Sequence, residues 1–378
     1  MKIKMKHINL SNSFTKWTVA LFTLAVINVG CKKSTYTTAT PTNNGTMAIA
    51  NGLSTFNQVN LVANKASYNA LRVDTLLQNA WGISFSPSGN IWSSDNVTGY
   101  SSVYDKEGKQ LLLPVSIPSP ATAGGGAVTG QVFSGSSNFM LPNGSSAIFT
   151  FATQDGIIAG WNKGNLSNAI TKINNSPKAS YFGLTLASNM GANYLYAANF
   201  KQATIDVFDN NWQPVNMKFT DPYLPAQYSP FNIQKIGDQL YVLYAKVGYD
   251  GNEIHQAGLG IVDIFNTDGS FVKRFISNGE LNSPWGIAKA PNSFFGADST
   301  VFNNTILVGN FGDGHINAYD ATGNFLGPIQ AHGKPLVVDG LWAISFAPVT
   351  ATTIDPNRLY FEAGPNKEID GLFGYIMK

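Results

Sequence analysis

The chain has 378 residues, of which only 12% are charged, with 37 glycines and a formal net charge of +2. Lys2, Lys4, Lys6 and Lys16 supply that excess ahead of any acidic residue, so the rest of the chain is slightly acidic and has no basic run. This balance argues against a nucleic-acid partner, and the abundance of Gly, Asn, Ser and Thr suits strands and turns rather than long amphipathic helices.

Residues 1–30 read as an export signal: a Lys-containing start leads into an apolar run, Trp17 to Val29, too short to span a bilayer comfortably. The run stops at Val29-Gly30-Cys31, an ending that resembles a bacterial lipoprotein signal, in which Cys31 becomes the lipidated first residue. Asn28 departs from that pattern, where Leu is usual. An ordinary cleaved signal with an incidental cysteine is the alternative. Cys31 is the single cysteine, so no disulfide is expected. The lipoprotein reading places the protein in the cell envelope, periplasmic or attached to the outer membrane, without a spanning segment. Residues 31–52, rich in Thr, Asn and Gly, read as a flexible tether.

Residues 53–378 read as one domain built from six copies of a phrase. The copies start at Trp81, Thr129, Phe182, Phe231, Trp285 and Trp342, roughly 50 residues apart. Repeats of that period with several short strands each predict an all-β, six-bladed β-propeller. In the first copy Trp81–Phe85 is strand a at the axis, 90–96 strand b, Ser102–Tyr104 strand c and Gln110–Val115 the outer strand d. Asn266–Gly269 and Asp320–Gly323 have the residues of c-to-d hairpin turns. The last unit ends after strand c, whereas residues 57–65 form an unassigned strand. Closing a ring removes the exposed sheet edges, so that N-terminal strand is expected to complete the sixth blade.

The copies resemble NHL and TolB-like six-bladed propellers, with a WGI-like start before a strand ending in Asp or Asn. More closely, FATQDGIIAGWN (151–162), YAANFKQATIDVFD (196–209), FTDPYLPAQYSPFNI (219–233), LVGNFGDGHINAYD (307–320) and YFEAGPNKEIDGLFG (360–374) resemble a family of uncharacterised bacterial secreted propellers, some with a C-terminal protein-sorting tail. This chain lacks the tail, and Gln154 stands where an acid is expected. The resemblance implies the fold and carries no activity.

In a propeller the d-to-a and b-to-c connections share one face. That register gathers Asn79, Trp81, Asp95, Asn96, Asp155, Asn199, Phe200, Asn232, Trp285, Asn310, Asp313, His315, Asp339, Trp342 and Glu362 around one mouth of the channel. The ligand-binding candidates are Asn79, Asp95, Asn96, Asp155, Asn199, Phe200, Asn232, Asn310, Asp313, Asp339 and Glu362. Oxygen donors of this kind suit a divalent cation such as Ca²⁺, with Asp95, Asp155, Asn199, Asn310 and Glu362 as ligands. The same residue types also cap turns. The tryptophans at equivalent repeat positions point to packing more than to ligand stacking. His255 and His332 stand alone in loops, and the Gly-rich 309–314 segment reads as a tight b-to-c turn. The function expected is non-catalytic binding of a small polar ligand, glycan or protein at the mouth by a monomer. A metal-dependent hydrolase of the lactonase or gluconolactonase type, and an envelope scaffold, are the alternatives.

Overall fold

A computed structural model describes residues 43–378, apart from 136, 297 and 298. The expected signal and Cys31 lie outside the described residues. The end of the expected tether is helical instead of flexible: Asn43–Leu53 is an α-helix, and Ile49 and Leu53 pack into an apolar core with Phe294, Phe295 and Phe302. Gly52 fits there because a Cβ would stand 2.0 Å from the Phe302 ring.

Six antiparallel sheets radiate from the axis, each with strand a innermost. Their a strands are Ala80–Phe85, Val128–Phe133, Tyr181–Asn189, Tyr228–Ile236, Pro284–Lys289 and Leu341–Phe346, defining blades 1 to 6. The expected c-to-d turns close through Gly269 N–H to Asn266 O and Gly323 N–H to Asp320 O, both 3.0 Å. Both glycines have positive φ, as the turn requires.

Ring closure is as the incomplete last copy indicates. Asn57–Ala63 pairs antiparallel with Leu372–Met377 as the outer strand of blade 6. Arg72–Val73 then adds in parallel outside it. Strand d of blade 1 differs from expectation. Only Val115–Ser116 pairs regularly with strand c, joined by a single bridge from Gln110 to Tyr104. Leu111 N–H still donates to Val103 O at 2.8 Å, Leu112 and Leu113 pair with nothing in strand c, and all three are exposed. Pro114 has no N–H to give to the ladder, which shortens the pairing there.

The repeated phrase has one structural meaning. In every blade the register between strands a and b shifts at the repeat start, bracketing Trp81, Thr129, Phe182, Phe231, Trp285 and Trp342. Such a bulge turns a side chain out of the regular alternation. The glycine that follows in several copies lets neighbouring a strands approach: a Cβ on Gly82 would stand 2.2 Å from Thr129 O, and one on Gly130 2.4 Å from Leu184 N.

Candidate functional site

Turned inward by the bulges, five of the six repeat-start residues are aromatic. They pack with Phe200 and Phe311 into one buried cluster, Trp81, Phe182, Phe231, Trp285 and Trp342 included. Trp342 is sandwiched between Trp81 at 3.6 Å and Phe311 at 3.8 Å between ring centroids. Phe200 stacks on Phe182 at 4.6 Å. These rings plug the axis at the mouth. Behind the plug the channel contains a cavity of about 30 Å³ bordered by Gln131, Asn232, Gln234 and Ser345, room for one water. The tryptophans therefore pack, as their repetition implies. A groove of about 750 Å³ lies along strand c of blade 3, where strand d has two residues.

The expected carboxylates and amides are divided among blades. Asn199 accepts from Ser180 N–H and Gln202 N–H and donates to Asp206 within blade 3. Asn310 accepts from Asn282 N–H and donates to Glu280 O in blade 5. Asp155 accepts from Ala127 N–H at 2.7 Å, and Asn232 donates to Trp285 O at 2.8 Å. Asp313 accepts from Asn282 and sits 3.2 Å from His315 Nδ1. The five proposed metal ligands thus do not meet at one point. Among the described residues no group of three or more His, Cys, Asp or Glu could hold a metal ion. Asn and Asp at these strand ends are consumed by their own turns.

Of the five proposed metal ligands, Asp95 and Glu362 come together, and they do so inside the protein. Ser93 Oγ lies 3.1 Å from Asp95 Oδ1 and 2.8 Å from Glu362 Oε2, and both acids have no exposed surface. Burial pushes both carboxyls well above the usual range. Burial therefore disfavours their charged forms in the folded protein. Stability from this pair is present at low pH and falls as pH rises above the ordinary carboxylate range of about 4. Glu362→Gln should unfold at higher urea than the parent at pH 8.5. It should give little gain at pH 4.5. An equal effect at both values would contradict the uncharged pair.

The groups left accessible at the mouth are others. His255 Nε2 is 3.1 Å from Glu253 Oε1, with side chains 46% and 14% exposed. Its ring meets Phe311 edge-to-face at 5.1 Å, so it sits directly on the plug. The hydrogen bond to Glu253 raises the imidazole pKa above its usual value. The charges of Glu253 and Glu368 add to this and burial opposes it. Glu368 belongs to the b-to-c loop of blade 6. Burial raises its pKa, and the Glu253 charge raises it further. Asn79 ties this acid to the plug: its Nδ2 donates to Glu368 Oε2 at 3.0 Å, and its Oδ1 accepts from Trp342 Nε1 at 2.8 Å. Asn79 also bonds Asn96, which bonds Gln154 and Val128 O, continuing the amide chain into blade 2.

The loop presenting Glu368 is strained. Asn366, Lys367 and Glu368 have φ of 58°, 57° and 65°, three successive left-handed residues that cost on the order of 1 kcal/mol each. Asp339 accepts from Asn366 N–H at 3.0 Å. Asp370 holds the far end, receiving Asn64, Tyr68 and Asn366 side chains and the Lys65 ammonium. Although burial opposes it, those partners hold the Asp370 carboxyl well below the usual range. The segment that closes the ring thus also anchors the mouth loop. Strain of this kind gathers at functional sites.

Of the sequence candidates, Asn79 belongs to this mouth group. His255 is not isolated, as the sequence reading had it, and Glu253 and Glu368 were missed. Glu253-Ile-His255 carries a signal that could have found the pair: in extended backbone residues two apart share a side.

No protein-family model matches the chain. An uncharacterised protein of Acanthamoeba polyphaga mimivirus is 32% identical over 336 residues, covering 85% of this chain and 80% of its own. A second uncharacterised protein of the same virus is 33% identical over 343 residues, covering 85% and 86%. Among solved structures, a streptogramin B lyase matches over 85% of this chain and 96% of that one, with a TM-score of 0.51 at 12% identity. That likeness concerns the propeller fold alone.

Proposed function

We propose, for a chain that belongs to the family of these two mimivirus proteins, that it is a binding propeller whose site is the mouth formed by Glu253, His255, Asn79 and Glu368. Its ligand is a small polar molecule seated on the aromatic plug. The observation that carries this reading is the half-exposed His255 standing on Phe311, hydrogen-bonded to Glu253 and acted on by the charge of Glu368. The other acids of the sequence reading are bonded within their blades or buried. A few polar groups over an apolar floor are the usual lining of a small-molecule site.

One observation favours an enzymatic variant. A histidine hydrogen-bonded to an orienting carboxylate is the arrangement of a general base, and Glu253 stands so toward His255. It needs no metal, unlike a lactonase of the calcium type.

The test is a thermal-shift panel of monosaccharides, amino sugars, polyols and lactones against the parent, His255→Ala and Glu368→Ala. Some compounds should raise the parent's melting temperature by several degrees and leave both variants unmoved. If every stabilising compound acted equally on the variants, the site would not be at this mouth.

A further inference from the structure

We propose, resting on the mouth reading above, that the ligand carries an ammonium group, which takes the place of the His255 proton as the positive charge between Glu253 and Glu368. Among the described residues, the Glu253 carboxylate has His255 as its sole side-chain partner, and the Glu368 carboxylate has Asn79. Neither forms an ion pair with a lysine or arginine, whereas Asp370 in the same blade 6 loop has Lys65. Each of the two mouth acids therefore has an oxygen left to accept a further donor. A further acceptor without a partner lies buried in blade 5. Asn282, only 6% exposed, has an Oδ1 without a hydrogen-bond partner, and that oxygen occupies the space a side chain on Gly312 would fill. Gly312 follows Phe311, the ring under His255.

Acceptors outnumber donors around this point, and beneath it lies the Phe311 ring, an aromatic surface of the kind that favours a cation. A phosphate or carboxylate ligand would meet two like charges and no arginine fork. An ammonium meets carboxylate oxygens and a ring.

The consequence is competition with a proton. His255 is acted on by Glu253 from its own loop and by Glu368 from blade 6. The residue that blade 5 packs against it, Phe311, is uncharged, and Asp313 of that loop is bonded to His315 and Asn282. When the imidazole is protonated the position is already occupied by charge. Affinity for an ammonium should fall about tenfold per pH unit below the imidazole titration and be flat above it.

The full chain carrying ¹³C-labelled histidine separates the outcomes. The His255 resonance is titrated from pH 5 to 9 with methylammonium, tetramethylammonium, glucosamine, glucose or acetate. Ammonium probes at tenfold over half-saturation should lower the apparent His255 pKa by about one unit, and Glu368→Gln should abolish the effect. If glucose perturbs His255 in a Glu368-dependent way and no ammonium probe does, the mouth remains the site and the ammonium inference fails. Acetate raising the His255 pKa while ammonium probes have no effect would likewise overturn it. If no probe moves His255, the inference falls together with the mouth reading.

Discussion

Deleting residues 53–66 is expected to leave the propeller unfolded. The segment contributes the outer strand of blade 6 and buries Leu53, Phe56, Leu61 and Val62 almost completely. At about 1.5–3 kcal/mol for each large apolar side chain, its removal withdraws roughly 6–12 kcal/mol, comparable with the whole stability of a typical domain. It also exposes the edge of Leu372–Met377 and takes Asn64 and Lys65 from Asp370. The loop that presents Glu368 thus loses its anchor together with the ring. Circular dichroism and urea titration should show no cooperative transition. A variant that melts cooperatively at the parent's temperature would contradict closure by this strand.

The second large effect is expected at Arg274. Its guanidinium donates to Asp263 Oδ1 at 3.0 Å and to Asp221, and both acid side chains are fully buried. The group ties the loop entering blade 4 to two of its strands. Burial raises the Asp263 carboxyl to about 7 even with the arginine present. Arg274→Met would leave two buried acids unpaired, a loss of about 3–5 kcal/mol. The sign with pH follows from the raised carboxyl. Stability from Asp263 is present at low pH and is lost as pH rises toward 7, and removing the arginine steepens that loss. The variant should therefore be hurt most at pH 8 and least near pH 5. Adding Asp221→Asn and Asp263→Asn to it should restore most of the difference. A loss equal at both pH values would show that packing of the arginine stem, and not charge, is what matters.

The ring was legible in the sequence because its devices repeat. The aromatic starts mark the bulges, and the missing last strand d identifies residues 57–63 as its replacement. What repeats less well was harder to read. Leu111–Leu113 have the composition of a strand, yet Leu112 and Leu113 leave the ladder, and pairing resumes only after Pro114. At the site, Asn79 could be placed by register. Asp95 and Glu362 could not be excluded in the same way: the period of a strand says which residues share a side, but not whether that side faces the mouth or the seam between blades. His255 and Glu253 fall in the 247–259 loop, an insertion with no equivalent in the other blades. A reading built on repetition has no register for it. Glu368 needed the left-handed turn, which no residue type at 366–368 demands.

The most direct test of the account is where a bound ligand is felt. For any compound that stabilises the parent in the thermal-shift panel, the histidine resonances can be followed during titration. His255 is expected to move and saturate with the compound while His332 stays in place, and Glu368→Ala is expected to remove the response. A stabilising compound that leaves His255 unmoved would contradict it.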